Sequence, residues 1–407
     1  MTDTTDRRGQ AVIAGAGLAG VQTAVQLRER GWEGPVLLVG AEPHRPYDRP
    51  PLSKDLLLGK ADGAELDVDY AGLGIELVLG RRATGLRPAE RLLDTDAGPL
   101  PYELLVLATG AEAATLPVPG GEAGHSAGVH VLRTLDDARR LKPVLDGHGS
   151  LVAVGAGWIG AEVATAARAA GCRVTVAEAA GHPLPGALPA EVAERTRAWY
   201  AEAGAELRTG EPVIAVREGE VELADGTVLG ADAVLLGVGS RPATGWLAGS
   251  GIALAPDGSV RADARLRAGA PGVYAVGDCA SFPSARYGRR LLVHHWDNAL
   301  AGPRTVAENA LGGAAGHDPV PYFWSEQFGR HVQYAGRHGP DDRLLWRDPG
   351  DGGGWTVCWL RDDAPTAVLA VDRPRDLAQG RRLLERGARL DPERAADPSV
   401  PLKAAVR

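Results

Sequence analysis

One glycine pattern occurs twice in this 407-residue chain, and the repeat constrains the fold more than any other feature. Each copy follows a short apolar run and opens a segment with helical apolar spacing, which predicts a strand, a tight turn and a helix. In such a turn the first glycine allows the bend, the second lets the backbone approach a pyrophosphate, and the third lets the helix pack on the strand. The two copies are Gly15-Ala16-Gly17-Leu18-Ala19-Gly20 and Gly155-Ala156-Gly157-Trp158-Ile159-Gly160.

Two such turns, each within a complete strand–helix–strand unit, predict that the chain binds two dinucleotides, a flavin beside a nicotinamide. The N-terminus of each helix would offer amide donors and the positive end of its dipole to the phosphates. Either turn alone is also compatible with a tight glycine turn that binds no ligand. The pair together favours the dinucleotide interpretation.

The strand and helix patterns predict an α/β fold with two Rossmann-like dinucleotide-binding domains and a C-terminal α+β domain. Apolar strands that end in glycine, at 104–110, 233–239 and 273–277, indicate that the chain leaves the first domain and later returns to it. We expect Gly239, at the end of the second of these strands, to border a cofactor. The expected domains are residues 1–113 with 245–318, residues 114–244, and residues 319–407.

Composition excludes several classes of function. The net charge of −8 argues against a nucleic-acid-binding protein. The polar N-terminus and the lack of an apolar run of 18 residues predict neither a signal peptide nor a membrane span, so we expect a cytoplasmic protein. Cys172, Cys279 and Cys358 lie far apart without a C-x-x-C motif, which argues against a dithiol redox centre. No metal site is expected.

Acidic residues follow the strands of both units, where a carboxylate commonly binds a ribose. Glu178 has this place in the second unit and would favour NADH, because a carboxylate repels the 2′-phosphate of NADPH. Glu42 has it in the first unit, and the carboxylate of Gly277-Asp278 suits the polyol chain of a flavin. The alternatives are a solvated strand end for Glu178, a surface carboxylate for Glu42 and an ordinary strand terminus for Asp278.

From about residue 10 to Lys403 the chain resembles the FAD-dependent NADH:ferredoxin reductases of bacterial oxygenase systems, of the putidaredoxin reductase and biphenyl dioxygenase reductase types. The resemblance implies a glutathione-reductase-like FAD/NAD architecture with a C-terminal interface domain. Its most specific motifs are Pro-Tyr-Asp-Arg-Pro-Pro-Leu-Ser-Lys at 46–54, Ala108-Thr109-Gly110, Leu-Arg-Thr-Leu at 132–135, Gly-Asp-Cys-Ala at 277–280 and Phe-Trp-Ser-Glu-Gln at 323–327.

The resemblance also implies roles for individual residues. Lys54 would lie beside the isoalloxazine ring and meet Glu162 where flavin and nicotinamide join. A structural ion pair between two domains is the alternative for these two residues. Trp324 would lie close to the flavin and the partner-facing surface, unless it is only a core aromatic of the third domain. Contacts with FAD are implied for Arg49, Ala83, Arg133, Asp278 and Trp296.

The chain departs from the family pattern at several positions that border these motifs. Relatives carry an acid directly after the glycine of the second strand, where this chain has Ala41. The other departures are Glu112, which stands where an Arg-Pro-Arg stretch is common, His182 and Gly186 in place of arginines, and His294 and Gly302 in place of Glu and Gln.

The implied activity is electron transfer from NADH through FAD to an iron–sulfur ferredoxin, which supplies a haem-thiolate monooxygenase or a Rieske-type oxygenase. Other acceptors such as rubredoxin, oxygen or a quinone, an NADH-sensing role like that of apoptosis-inducing factor, and a flavin-binding scaffold remain as alternatives. Either a monomer or a homodimer is compatible with the sequence. Basic residues proposed to meet an acidic ferredoxin are Arg289, Arg290, Arg304, Arg330, Arg337 and Lys403, with scattered solvated charges as the alternative.

Overall fold

The computed structural model describes residues 9–121, 128–350 and 352–407. Residues 1–8 of the expected first domain, 122–127 of the second and Asp351 of the third lie outside this part of the chain. The helices are α1 (Leu18–Glu29), α2 (Leu135–Asp146), α3 (Trp158–Ala169), α4 (Ala190–Ala193), α5 (Arg197–Glu202), α6 (Trp296–Ala310), α7 (Pro374–Arg386) and α8 (Pro392–Ala396).

The strands divide into those before, within and after the second dinucleotide unit. The first group comprises β1 (Ala11–Ala14), β2 (Val36–Gly40), β3 (Ile75–Leu79), β4 (Ala83–Arg87), β5 (Leu92–Thr95), β6 (Leu100–Pro101), β7 (Leu104–Leu107) and β8 (Ala111–Ala113). The second comprises β9 (Val129–His130), β10 (Ser150–Val154), β11 (Arg173–Glu178), β12 (Glu206–Thr209), β13 (Val213–Arg217), β14 (Glu220–Leu223), β15 (Val228–Gly230), β16 (Ala233–Leu236) and β17 (Ser240–Pro242). The third comprises β18 (Val260–Arg261), β19 (Val273–Ala275), β20 (Ala280–Ser284), β21 (Arg289–Leu292), β22 (Tyr322–Gln327), β23 (Arg330–Gly336), β24 (Arg343–Arg347), β25 (Trp355–Arg361) and β26 (Ala364–Val371).

A parallel sheet in the order β19-β7-β1-β2-β3 forms the centre of the first domain. All residues of β1, β2 and β7 are buried, which explains why these strands read as continuous apolar runs rather than as an alternating pattern. The outermost strand β19 comes from beyond residue 270 and pairs with β7. This pairing supports the expected return of the chain to the first domain.

The second domain repeats the plan with a sheet in the order β12-β11-β10-β16-β9. Its central strand β10 leads through the second glycine turn into α3, as β1 leads into α1. The two domains are joined by an antiparallel pair in which Ala111 of β8 faces Pro242 of β17. Outgoing and returning chains therefore cross between the domains side by side.

The C-terminal domain contains an antiparallel sheet in the order β22-β23-β26-β25-β24, against which α7 packs. The sequence pattern predicts alternating strands at 331–336, 343–347 and 355–361 and a helix at 374–388, and these segments correspond to β23, β24, β25 and α7. The central strand β26 was missed. Its Ala-Val-Leu-Ala-Val run is the sequence signal that would have revealed a buried strand.

Candidate functional site

A cavity of about 1090 Å³ lies where the three domains meet. Both glycine turns border it, together with the 3₁₀ turn Pro50–Ser53, the residue that follows this turn, and the first strand of the C-terminal sheet. Most of the predicted site residues line this cavity: Gly15, Gly17, Leu18, Ala19, Glu42, Arg49, Lys54, Ala83, Ala108, Thr109, Gly110, Arg133, Gly155, Gly157, Trp158, Ile159, Glu162, Glu178, Gly239, Asp278, Trp296 and Trp324.

The first glycine turn has the geometry of a phosphate cradle. Gly15 has a φ of +119°, and a Cβ there would lie 2.1 Å from the carbonyl oxygen of Ala108. At Gly17 a Cβ would meet nothing within 4 Å, so the turn is open on that side. Helix α1 begins without a side-chain cap, which leaves its first amides to phosphate oxygens. These features fit the pyrophosphate of a dinucleotide.

The second glycine turn repeats this geometry at the start of α3. Gly155 has a φ of +99°, and Gly157 precedes a helix that again lacks a side-chain cap. Gly20 and Gly160, the third glycines of the two turns, do not line the cavity. A Cβ on either one would lie about 2 Å from the carbonyl oxygen of the first glycine, at 1.8 and 2.0 Å respectively. Both therefore serve helix packing, as the spacing predicts, and Gly277 likewise lies outside the lining, with its Cβ position 2.9 Å from that of Ala19.

Glu178 is not the solvated strand end that was its alternative interpretation. Its side chain is buried, with Oε2 accepting a hydrogen bond from the amide of Ala156 and Oε1 from the amide of Ala180, both at 2.8 Å. The carboxylate thus lies against the second glycine turn at the cavity wall. A carboxylate can accept further hydrogen bonds at each oxygen, so the ribose-binding role of Glu178 stays a prediction that the geometry permits.

Glu42 has a different environment in the first domain. Its Oε2 accepts a hydrogen bond from the hydroxyl of Tyr47 at 2.6 Å, and Oε1 forms an ion pair with Arg49 at 3.1 Å. Gly40 has the place in the first domain that Glu178 has in the second. The preceding residues, Val39 and Ala177, each accept a hydrogen bond at the carbonyl oxygen from the amide of the first glycine of their turn, Gly15 and Gly155. Glu42 is thus two residues beyond the place of Glu178 and borders the cavity from a Tyr47–Arg49 network.

Lys54 and Glu162 line the cavity and form an ion pair, with Nζ 2.6 Å from Oε2. The carboxylate is 6 % exposed, and the hydroxyls of Ser53 and Ser325 also donate to it, at 2.5 Å to Oε2 and 2.7 Å to Oε1. Gln327 Nε2 donates to Ser325 Oγ at 3.3 Å. The structure therefore brings Lys54 and Glu162 together, within a hydrogen-bonded network that sequence reasoning missed although Ser53, Ser325 and Gln327 stand in the quoted motifs.

Polar contacts also hold together the part of the cavity lining that the first domain contributes. Arg133 forms an ion pair with Asp278 at 2.8 Å, and the hydroxyl of Thr109 donates to a carbonyl oxygen of the returning chain at 2.8 Å. The indole Nε1 of Trp296 lies 2.9 and 3.0 Å from the two carboxylate oxygens of Asp48. Burial raises the pKa of Asp48 above its ordinary value, while the Trp296 hydrogen bond opposes this. These contacts hold the segments that carry Asp48, Thr109, Arg133, Asp278 and Trp296 around the cavity.

Aromatic rings continue from the cavity into the C-terminal domain. Trp324 lies edge-on to Trp296, with ring centroids 5.6 Å apart, and stacks on Tyr322 at 6.2 Å. On the opposite side of the same strand, Phe323 stacks on His295 at 4.4 Å and meets Trp158 edge-on at 4.7 Å. Trp324 thus borders the cavity and is not only a core aromatic of the third domain.

Two adjacent histidines precede α6, and the first of them, His294, is one of the departures from the family pattern. The Nδ1 atom of His294 lies 3.0 Å from Ser240 Oγ, and burial lowers the pKa of this imidazole. Burial also lowers the pKa of His295 to about 4. The imidazole of His295 is therefore neutral at pH 7, and burial disfavours the charged form of His294 as well. Gly302, another departure, lies against Val276, whose Cγ2 would be 2.4 Å from an added Cβ.

The described residues give no indication of a metal centre or a dithiol. No group of three or more His, Cys, Asp or Glu side chains is placed to bind a metal within residues 9–121, 128–350 and 352–407. The three cysteines are free and buried. Within the same ranges, no helix has the length and apolar character needed to cross a bilayer.

Comparison with known proteins decides the family. Residues 9–302 match the pyridine nucleotide-disulphide oxidoreductase family, and residues 322–406 match the family described as reductase C-terminal. Rhodocoxin reductase of Rhodococcus erythropolis is 36 % identical over 405 residues, which cover 97 % of this chain and 94 % of that protein. The chain belongs to the FAD-dependent ferredoxin reductases of bacterial oxygenase systems.

Two further relatives extend this assignment of the reductase. The ferredoxin–NAD(+) reductase component of the anthranilate 1,2-dioxygenase system of Burkholderia cepacia is 35 % identical over 402 residues, with 96 % of this chain and 98 % of that protein covered. The crystal structure of the covalent putidaredoxin reductase–putidaredoxin complex superimposes with a TM-score of 0.92 at 33 % identity, covering 97 % of both chains. The predicted architecture is therefore confirmed.

The reductase exposes most, but not all, of the basic side chains proposed for partner binding. Arg290 donates to the carbonyl oxygens of Ala262 and Ser281, and Arg330 forms an ion pair with Glu202. These two arginines are committed to structural contacts. The remaining four candidates are exposed: Arg289, Arg304, Arg337 and Lys403.

Proposed function

We propose that this protein is an NADH-dependent ferredoxin reductase that passes electrons through FAD to an iron–sulfur ferredoxin, which in turn supplies an oxygenase. The observation that carries the proposal is the single cavity into which both glycine turns open and which Lys54, Glu162 and Trp324 border. One volume thus connects the two dinucleotide sites with the C-terminal domain. We assign the reaction to the cytoplasm, where NADH is available.

In this proposal the first domain holds FAD and the second holds the nicotinamide dinucleotide. The first glycine turn and the start of α1 bind the flavin pyrophosphate, while Asp278, fixed by Arg133, faces the polyol chain. The second turn and the start of α3 bind the pyrophosphate of NADH, and Glu178 binds its ribose. Bound FAD supplies the chemistry, since it accepts a hydride from NADH and gives up single electrons.

The protein contributes orientation, charge and exclusion of water at the junction. Lys54 brings a positive charge to the wall of the flavin site, and Glu162, which is 6 % exposed, fixes the position of this ammonium group. A fixed ammonium stabilises negative charge that develops nearby in a site of low dielectric constant. The apolar rings of Phe323 and Trp158 also line the cavity, where they pack edge-on against each other.

We place ferredoxin binding at the C-terminal domain beside Trp324. This indole borders the cavity, and exposed basic side chains on the reductase suit an acidic iron–sulfur protein. Electron-transfer encounters of this kind are small and sensitive to salt. The named structural relative, putidaredoxin reductase, was crystallised in a covalent complex with putidaredoxin.

A steady-state assay tests the proposed function. Catalytic amounts of the reductase are mixed anaerobically with NADH and an excess of an oxidised [2Fe–2S] ferredoxin, and bleaching of the cluster is followed. We expect bleaching that depends on both the reductase and NADH and that weakens as the salt concentration rises. NADH oxidation without cluster reduction, with every ferredoxin tried, would contradict ferredoxin as the acceptor.

A further inference from the structure

The hydrogen bonds around Glu162, a residue of the second domain, come from the first domain and from the C-terminal domain. Lys54 and Ser53 belong to the first domain and donate to Oε2, whereas Ser325 of the C-terminal domain donates to Oε1. Ser53, Glu162 and Ser325 are each 6 % exposed or less. A buried carboxylate needs a donor at each oxygen, and Ser325 provides the hydrogen bond to Oε1 in the described part of the chain.

Strand β22 brings this hydroxyl to α3 because successive side chains of a strand point to opposite faces. Phe323 and Ser325 face α3, where they contact Trp158 and Glu162. Trp324, between them, points the other way and meets Trp296. One strand therefore contacts the nicotinamide side of the cavity with one face and the proposed exit for electrons with the other.

The orientation of Ser325 is itself fixed. Its oxygen accepts a hydrogen bond from Gln327 Nε2 at 3.3 Å, so its proton is directed to Glu162. The amide of Phe328 donates to the Thr165 hydroxyl of α3 at 2.9 Å, which ties the end of β22 to the same helix. The position of α3 relative to β22 is thus set by two polar contacts.

We propose that Ser325 is a positioning residue that holds Glu162 Oε1, so that Oε2 stays directed at Lys54. The C-terminal domain then does more than meet the partner, because it completes the junction between the two cofactor sites. Without the hydroxyl, Oε1 loses its hydrogen-bond donor, and the carboxylate is no longer held in the orientation that directs Oε2 at Lys54. This proposal rests on the proposed function, since its readout is reduction by NADH.

The test compares Ser325→Ala with the wild-type holoenzyme. We expect S325A to retain FAD, to be reduced by NADH about tenfold more slowly in single turnover, and to bind NAD⁺ with altered affinity in a titration of the flavin spectrum; a tenfold change corresponds to about 1.4 kcal/mol. In the background of Glu162→Ala, the same substitution should have no further effect on the reduction rate, because its acceptor is gone.

Thr356→Val is the matched control. Thr356 is fully buried in the same sheet, and its hydroxyl donates to the carboxylate of Asp376 at 3.2 Å, away from the cavity. T356V therefore removes an equivalent hydrogen bond. We expect it to lower the thermal unfolding midpoint as S325A does while leaving reduction by NADH and NAD⁺ affinity at wild-type values.

Three results would overturn the role of Ser325. They are wild-type reduction and NAD⁺ affinity in S325A, an equal slowing by S325A in the Glu162→Ala background, and an equal slowing in T356V. If S325A loses FAD, Ser325→Thr carries the test, and a slow but FAD-loaded S325T refutes a role for the hydroxyl. A wild-type protein that NADH does not reduce would instead contradict the proposed function.

Discussion

Replacing Glu178 by glutamine tests how the reductase separates NADH from NADPH. The carboxylate is 7 % exposed and receives two backbone amides at 2.8 Å, so it is fixed at the wall of the cavity beside the second glycine turn. Glu178→Gln keeps the volume of the side chain and removes its negative charge. The substitution therefore isolates the electrostatic part of nucleotide selection.

The size of the effect follows from two terms. Two like unit charges about 5 Å apart repel by about 3 kcal/mol at an effective dielectric constant of about 20. Loss of the charge on Glu178 removes this repulsion from the 2′-phosphate of NADPH. Hydrogen bonds from ribose hydroxyls to a charged acceptor contribute about 1.5–3 kcal/mol, part of which NADH loses. Together these terms predict that the preference for NADH falls by about 100-fold or more.

Anaerobic stopped-flow reduction gives, for each nucleotide, the limiting rate of flavin reduction divided by the dissociation constant. The preference is the value of this quotient for NADH divided by its value for NADPH. Glu206→Gln is the matched control, because Glu206 is exposed on β12, the strand next to β11, and its loss changes the net charge of the protein equally. An unchanged ratio in E178Q, with FAD bound, would show that Glu178 does not select the nucleotide.

The remaining predictions concern the glycine turns, the junction pair and acid stability. Gly160→Ala should abolish reduction by NADH while FAD stays bound, because the new methyl group would lie 2.0 Å from a backbone oxygen. Gly20→Ala should instead lose FAD, and the flavin absorbance after gel filtration distinguishes the two variants. Reduction of G160A by NADH at the wild-type rate would contradict the assignment. Glu162→Ala should slow single-turnover reduction by about tenfold or more with FAD content unchanged, and an unaltered rate would refute a role for the junction pair. Burial lowers the pKa of His317 to about 4 from an ordinary 6.5, so stability from the neutral imidazole is complete above pH 6.5 and is lost as the pH falls toward 4. This loss is about 3 kcal/mol at most, and urea unfolding at pH 7 and pH 4.5 should show a smaller acid loss for His317→Gln; equal losses would contradict it.

Local sequence patterns were sufficient to predict the two dinucleotide-binding domains. Glycine turns leave a signature because their backbone geometry admits few other residues, as Gly15 with its φ of +119° illustrates. Buried parallel strands such as β7 are apolar along their whole length and are recognised for that reason. The cofactor assignment followed from these turns, and the pairing of Lys54 with Glu162 followed from the family resemblance.

Contacts between distant segments could not be predicted in the same way. Ser325 and Glu162 are far apart in sequence, and nothing in a lone serine indicates that its hydroxyl meets a buried carboxylate. The Asp48–Trp296 hydrogen bonds and the orientation of Glu42 toward Tyr47 likewise depend on how α6 and the Pro50–Ser53 turn pack. Arg290 was proposed for partner binding because its charge was visible in the sequence, whereas its carbonyl partners were not.

A double-mixing experiment tests the central claim most directly. The purified yellow protein is reduced anaerobically with one equivalent of NADH in a stopped-flow instrument and then mixed with an oxidised ferredoxin. We predict fast bleaching of the flavin by NADH, followed by prompt return of its absorbance as the ferredoxin is reduced. Slow bleaching with a persistent long-wavelength charge-transfer band, or a reduced flavin that the ferredoxin leaves unchanged, would contradict the account.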